Sequence, residues 1–368
     1  MTVSTQGLRV ALVLATSTGG VGRHVVSLAR NLAGRGYDVT VCGPMDTQRR
    51  FDFTGVGARF APVEIPAGPD PIRDVNAVAR LRLVLRRLRP DVVHAHGLRA
   101  GLVSSLSRPP GMPLVVTWHN LMLATGLRGT VYGVLERVVA RTADLTLCAS
   151  DDLVGRVLRL GGRDVRMAPV AAPPLSPPTR SREEMRAELG AEDRPLLLSV
   201  ARLNPQKSLD VLIRAAARWR DRDPAPLVVV AGSGPSEPEL RQLIDATGAP
   251  VRLLGHRTDV ADLIEACDIA VVTSQWEARQ LFAQEAMRAG RPLVATAVGG
   301  IPGMVGDAAL LVPAGDVDAL DTAVCKLIDD PDMRADLAAR GRQRAETWPS
   351  EEDTVDQVAA VYQELTGK

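Results

Sequence analysis

Short apolar runs rich in Val, Leu and Ala recur along the chain, each closed by a turn marked with Gly or Pro and followed by a stretch of helical periodicity. That alternation predicts strands buried on both faces, with helices crossing back over them: an α/β protein built on parallel sheets. Leu8 to Ala15 predicts the first strand. A glycine-containing turn from Thr16 to Arg23 follows, then a helix through about Gly34. Tyr37 to Cys42 and Val63 to Ile65 predict the second and third strands. Further strands are expected at Asp91 to Ala95, Leu114 to Thr117 and Leu145 to Ser150, the last closing the first sheet. A second series contains Pro195 to Val200, Leu227 to Ala231, Ile269 to Thr273 and Leu293 to Thr296, and a last helix is expected from about Glu351 to Leu365.

The stretch from Arg73 to Arg89 predicts a helix with Val75, Val78, Ala79, Leu81, Leu85 and Leu88 on its apolar side. Its polar side carries six Arg against the single acid Asp74. Two readings stand: a basic amphipathic helix lying on an anionic membrane, or a core-packed helix with a solvated Arg-rich face.

At 368 residues the chain is long enough for two cores. Residues 168 to 181 are dense in Pro, Ala and Ser, the composition of an extended connector. The expected division is a first Rossmann-like domain over 1–170, a linker over 171–185, a second Rossmann-like domain over 186–348, and a helix over 349–368 that crosses back to the first domain. A formal charge of +1 supplies no field for nucleic acid. Cys42, Cys148, Cys267 and Cys325 are far apart and lie in or beside apolar segments, so they read as buried thiols, not a disulfide frame or zinc site. No apolar run approaches the roughly 20 residues of a membrane span, and Val10 to Ala15 is too brief for a signal peptide. A cytoplasmic protein is expected, with contact at the inner membrane face through residues 73–89 as the alternative.

Candidate chemistry concentrates between Ala270 and Gly303. There a strand is followed by Glu277 on a loop, a helix starting near Gln280 and Leu281, Glu285 on that helix, a second strand, and the turn Gly299-Gly300. Parallel sheets bind ligands beyond the carboxyl ends of their strands, which gathers these residues in one crevice. A helix amino end favours phosphate and carboxylates suit sugar hydroxyls, so the ligand implied is a sugar nucleotide. Arg202 and Lys207, five residues apart on a strand-to-helix loop, can converge on one diphosphate, Arg through its fork and Lys as a point charge. His96 and His119 each stand at the end of an apolar strand, where a site is expected. The acidic triplets Asp221-Arg222-Asp223, Asp316-Val317-Asp318 and Asp330-Pro331-Asp332 fall in turns or at helix starts, where Asp caps the backbone, so no metal site is assigned.

The order Ser274, Trp276-Glu277, helix, Glu285-Ala286-Met287, strand, Gly299-Gly300-Ile301-Pro302 resembles the donor site of the retaining GT-B glycosyltransferases of family four. The likeness extends over nearly the whole chain. Arg202-Leu203 with Lys207 matches that family's Arg-Leu-x-x-x-Lys, and Gly232-Ser233-Gly234-Pro235 its Gly-x-Gly-Pro. The resemblance implies two Rossmann-like, doubly wound domains facing a central cleft. It further implies a retaining hexosyltransferase that draws on a UDP- or GDP-sugar, needs no metal, and acts by front-face displacement on an envelope glycan, lipid-linked or small-molecule acceptor. By the same resemblance Glu277 binds the donor sugar, Glu285 the ribose, and Arg202 and Lys207 the diphosphate. His119 lies near the reacting carbon, with His96 a second choice. The loop at Gly20 faces the diphosphate and the acceptor, and Gly255-His256 holds the base through main-chain atoms.

Four departures from the family pattern stand out. Ala278-Arg279-Gln280 replaces Gly-Phe-Gly after the first carboxylate. Ser208 replaces the Gly after the Lys, Gly303 stands where a Glu is frequent, and Pro169-Val170-Ala171 replaces a Pro-Asn-Gly turn. The changes at 278–280 keep one rival open, a sugar-nucleotide-binding protein or partner subunit that has lost turnover; against a third reading, a GT-B sugar-nucleotide epimerase, stand the Glu277/Glu285 arrangement and the Arg202/Lys207 loop, which resemble the transferases.

Overall fold

The computed structural model describes residues 7–17, 19–123, 125–173 and 175–367. The chain divides into two compact units, one of residues 1–173 with 349–368 and one of residues 174–348. In the first, β1 (Arg9–Leu14), β2 (Asp38–Gly43), β3 (Arg59–Pro62), β4 (Val92–His96), β5 (Leu114–Trp118), β6 (Leu145–Cys148) and β7 (Val165–Met167) form one sheet in the order β3-β2-β1-β4-β5-β6-β7. In the second, β8 (Leu196–Val200), β9 (Leu227–Ala231), β10 (Val251–Gly255), β11 (Ile269–Val272), β12 (Leu293–Thr296) and β13 (Leu310–Val312) form another in the order β10-β9-β8-β11-β12-β13. Every pairing in both sheets is parallel.

Side-chain alternation explains why helices cover both faces. In β8, Leu196 and Leu198 join one core while Leu197 joins the other; in β11, Ala270 and Val272 part from Ile269 and Val271 in the same way. A strand whose every position is buried must be covered on both sides.

The first unit is completed by the helix Glu351–Thr366, opened by a capping box between Ser350 and Asp353. Its apolar stripe of Val355, Val358, Val361 and Tyr362 enters the same core as Leu12, Leu14 and Val25. Gln357 Nε2 donates to Met167 O at 2.6 Å, and Arg166 binds Glu364 through both carboxylate oxygens at 2.7 Å.

Several sequence expectations are corrected. The third strand is Arg59–Pro62, not Val63 to Ile65. Val63 and Ile65 are buried on alternate positions, but they lie past the strand end, so their apolar pattern marks burial rather than pairing. The first sheet continues beyond Ser150 to β7, a three-residue edge strand whose positions are all half-buried and which therefore carries no apolar run. The expected linker over 171–185 is shorter: Ser181 caps a helix over Arg182–Leu189 by a capping box with Glu184, and Thr179 N donates to the buried Asp262 at 2.6 Å.

The basic helix runs Pro71–Leu88 and buries Ala77, Leu81, Val84 and Leu85. That stripe has helical phase, so Val75 and Ala79 fall on the exposed side, where Ile72 and Leu83 are exposed as well. Among the described residues, no helix is long and apolar enough to cross a membrane. Cys42, Cys148 and Cys267 are buried and Cys325 half-buried. Burial pushes the first three thiols up to about 12, which keeps them unreactive.

Candidate active site

Each sheet reverses its winding once, between β1 and β4 in the first unit and between β8 and β11 in the second. At such a point the connections leave to opposite faces and open a crevice at the carboxyl ends of the strands.

In the first unit that crevice collects histidines. His24 lies on the helix Gly20–Gly34 that follows β1, His94 and His96 belong to the end of β4, and His119 directly follows β5. Four of the chain's five histidines therefore meet here. His94 is clasped between Tyr362 Oη and Thr117 Oγ1, each at 2.6 Å. His96 Nδ1 lies 3.2 Å from His119 Nε2, and the His24 ring stands edge-on to both, with centroids 5.5 and 5.1 Å away. Burial lowers His24 to about 4 and His94 to about 3. Burial, with the charge of its neighbours, holds His96 and His119 well below the ordinary value. All four are neutral at pH 7, so they offer lone pairs and N–H groups, not charge. Gly20 is exposed and opens the first helix, whose preceding residue Gly19 provides no side-chain cap. Gly22, one turn in, has no room for a Cβ, which would stand 2.2 Å from the Phe51 ring.

In the second unit the loops after β8, β11 and β12 are tied together. Lys207 forms an ion pair with Glu277, and Ser274 Oγ donates to the same carboxylate at 2.6 Å. Gln206 Nε2 donates to Trp276 O at 2.8 Å, and Thr273 Oγ1 to Lys207 O at 2.9 Å. The turn at Gly299 closes the arrangement. It has φ +53°, Gly300 N donates to Glu277 O at 2.9 Å, and a Cβ on Gly299 would stand 2.0 Å from that oxygen. Glycine there is a requirement of close backbone approach.

Gly232 and Gly234 serve the same end beside the β8 loop, where a Cβ on either would meet Ala201 O at 1.8 Å or Leu203 O at 2.2 Å. Gly232 N donates to Gly255 O at 2.7 Å, which draws Gly255 into the group while the adjacent His256 is exposed. Arg202 is exposed and, among the described residues, forms no ion pair. Glu277 and Glu285 are both 8% exposed, with Glu285 on the helix Leu281–Arg288 and Leu281, its first residue, half-buried.

The three departures after Glu277 are accounted for individually. Ala278 is buried. Arg279 lies over the Trp348 ring at 5.3 Å, with its Nε and Nη2 buried and without hydrogen-bond partners among the described residues. Burial, with Arg288 and Arg344 nearby, lowers its guanidinium to about 10. Gln280 caps the helix, its Oε1 accepting from Ala283 N at 2.5 Å. That amide, expected to be open to an anion, is occupied by the protein's own side chain. Two of the acidic triplets act as expected, Asp316 and Asp330 capping the helices that follow them.

Sequence reasoning assigned no role to Ser274, Thr117 or Tyr362. Ser274 had a signal in its position at the end of β11 three residues before Glu277; Tyr362, 268 residues from His94 in sequence, had none.

The sequence and the fold have known counterparts. The family profile described as glycosyl transferases group 1 matches residues 181–344, and that of the glycosyl transferase 4-like domain matches residues 19–173. A D-inositol 3-phosphate glycosyltransferase from Nocardiopsis dassonvillei is 32% identical over 95% of this chain and 90% of its own length. The chain belongs to the group 1 glycosyltransferases. Another relative, the alpha-D-kanosaminyltransferase of Streptomyces kanamyceticus, is 29% identical over 78% of this chain and 81% of its own. Among solved structures, Anabaena Alr3699/HepE in complex with UDP superposes with a TM-score of 0.82 at 20% identity, covering 97% of this chain and all of that one. WaaG, a glycosyltransferase of lipopolysaccharide biosynthesis, gives 0.76 at 20% identity, covering 98% of this chain and all of that one. The fold of this glycosyltransferase is therefore GT-B, made of two Rossmann-like units, as the sequence led one to expect.

Proposed function

We propose that this glycosyltransferase moves a hexose-type sugar from a UDP- or GDP-sugar to a hydroxyl of a polyhydroxylated small molecule, with retention and without a metal. The observation that carries the reading is the Lys207–Glu277 pair held by Ser274 at the carboxyl ends of β8 and β11. A buried carboxylate with a cation and a hydroxyl on one oxygen is pre-organised to exchange them for sugar hydroxyls. Lys207 is then released toward the diphosphate, where Arg202 joins it. In the step proposed, the acceptor oxygen bonds to the anomeric carbon on the face the diphosphate leaves. The bond to the phosphate oxygen breaks, and the acceptor proton passes to that oxygen. Fixed cations answer the charge that develops. Glu285 is assigned to the ribose, Gly232, Gly234 and the main chain at Gly255 and His256 to the nucleotide, and His119 to a sugar contact. A UDP complex of a structural neighbour and relatives named for kanosamine and inositol 3-phosphate support this donor and acceptor class. Peripheral membrane contact through residues 73–89 is proposed on the exposed Ile72, Val75 and Leu83 of that Arg-rich helix.

A second reading has an observation of its own. Gln280 occupies a helix amide that an anion could use, which favours a binding protein with weakened turnover. Incubation with a panel of UDP-, GDP- and ADP-sugars, with free nucleoside diphosphate read by mass spectrometry, separates the two. We expect release from one donor, lowered about 100-fold or more in Glu277→Ala and Lys207→Ala. Thermal stabilisation by a donor that is never consumed, with or without a small-molecule acceptor, overturns the transferase reading in favour of binding alone.

A further inference from the structure

We propose that His24, His96 and His119 form a binding site for a divalent transition-metal ion of the zinc class. One nitrogen from each lies within 4.8 Å of the others, and no carboxylate belongs to the group. The nitrogens of His96 and His119 are 3.2 Å apart. A tetrahedral ion with Zn–N bonds of about 2.0–2.1 Å separates its ligand nitrogens by roughly 3.3 Å, so this pair already has the spacing of one ligand edge. Once the ring that donates this hydrogen bond moves its proton to its other nitrogen, both facing lone pairs are open to one ion. His24, the least buried of the three, stands edge-on to both rings and closes the third position by a side-chain movement.

A second observation is independent of the spacing. His96 Nε2 is buried with no hydrogen-bond partner among the described residues, so among them the 3.2 Å contact with His119 is the ring's single hydrogen bond, and an ion at Nδ1 displaces nothing else. Beyond that contact, the ring of His96 is held by packing. The rings stand on rigid supports, two at the ends of neighbouring strands β4 and β5 and one on the helix after β1. His94 backs His96 at 4.3 Å and is itself fixed by Tyr362 and Thr117.

The donor set selects the ion. Three neutral imidazoles suit Zn(II), Co(II), Ni(II) and Cu(II), whereas Mg(II) and Ca(II) require oxygen ligands. Three protein ligands leave a fourth position for water or another small ligand. A bound ion also holds the His119 lone pair, so it inhibits transfer. That consequence rests on the role proposed for His119, while metal binding itself does not.

Untagged protein, stripped with chelator, is titrated with Co(II), following visible d–d absorption, and with Zn(II) by calorimetry. The expected result is one equivalent bound with the band intensity of four-coordinate Co(II). His24→Ala and His96→Ala are each expected to weaken binding by more than about 100-fold, beyond the 10–100-fold typical of losing an outer partner. His256→Ala, which removes the one histidine outside the cluster, leaves binding unchanged. Circular dichroism confirms that each variant is folded, and His24→Ala, at a half-buried helix position, keeps the test valid if His96→Ala fails to fold. Absence of stoichiometric binding, or binding that survives His24→Ala, overturns the site. Binding that is intact while transfer is unaffected by Zn(II) leaves the site standing and removes His119 from the sugar.

Discussion

Glu277 is buried, and its carboxylate is shared by the ammonium of Lys207 and the hydroxyl of Ser274. Pairs of this kind are costly to break from one side, because the remaining charge keeps its desolvation penalty without its partner. Lys207→Met is therefore expected to lower stability by about 3 kcal/mol, whereas Lys207→Met combined with Glu277→Gln recovers most of that loss. A double-mutant cycle by urea unfolding measures the coupling. If the two losses simply add, the contact is not an energetic pair and the carboxylate is sustained by Ser274 and its surroundings. The sequence put Glu277 in a crevice by the strand-loop-helix order and Lys207 on a diphosphate by the strand-to-helix loop, and the family resemblance joined the two in one donor site. It did not place them on each other, because a side-chain contact across 70 residues leaves no trace in either local pattern.

The loop after β8 passes through a short turn over Pro205–Lys207 into the helix Leu209–Ala217, and Ser208 joins them at φ 45°, ψ 45°. A left-handed conformation brings Cβ against the following carbonyl, at roughly 1–2 kcal/mol for a residue other than Gly. The family pattern that the sequence resembles has Gly there, and the departure read in the sequence is a departure in strain. Ser208→Gly is expected to stabilise the second unit by about 0.5–1 kcal/mol, part of the relief being offset by the freer unfolded chain. Calorimetry should show a rise of roughly 1–4 °C, and a fall would mean that the Ser208 hydroxyl, 3.4 Å from Pro205 O, contributes more than the strain removes. Elements were legible wherever burial and pairing coincide, as in β1, β4, β5 and β8. Where they separate, the reading failed. Val63 and Ile65 are buried beyond the end of β3, β7 pairs without being buried, and Val75 and Ala79 are apolar on the wrong phase of their helix. Gln280 eluded the pattern for another reason: whether a side chain folds back to cap its own helix depends on a rotamer, which periodicity does not encode.

At the scale of the whole molecule the two units differ in how they hold their histidines. The first keeps His24, His94, His96 and His119 neutral in one cluster, while the second has only the exposed His256. His94 is the most consequential, since its two nitrogens link β5 through Thr117 to the returning helix through Tyr362, whose own hydroxyl is pushed well above its usual range by burial and by Tyr37. The groups facing His94 are Tyr362, Thr117 and His96, with His24 adding charge repulsion when protonated. In the unfolded chain each histidine returns to about 6.5; folded, His94 lies at about 3 and His24 at about 4. Below 6.5 the unfolded state therefore binds protons that the folded state refuses. The stability these groups allow is complete above 6.5 and is lost as pH falls toward their folded values, at roughly 1.4 kcal/mol per pH unit for each histidine. With four such groups in one unit, acid should open the first unit, including Glu351–Thr366, while the second remains closed. Hydrogen exchange resolved by peptide from pH 7 to pH 4, in chelator, tests this. Protection should fall first in peptides spanning β4, β5 and the C-terminal helix, with those of β8 and β11 unchanged. Equal loss in both units would show that the carboxylates of the ion pairs, not the buried histidines, set the acid limit.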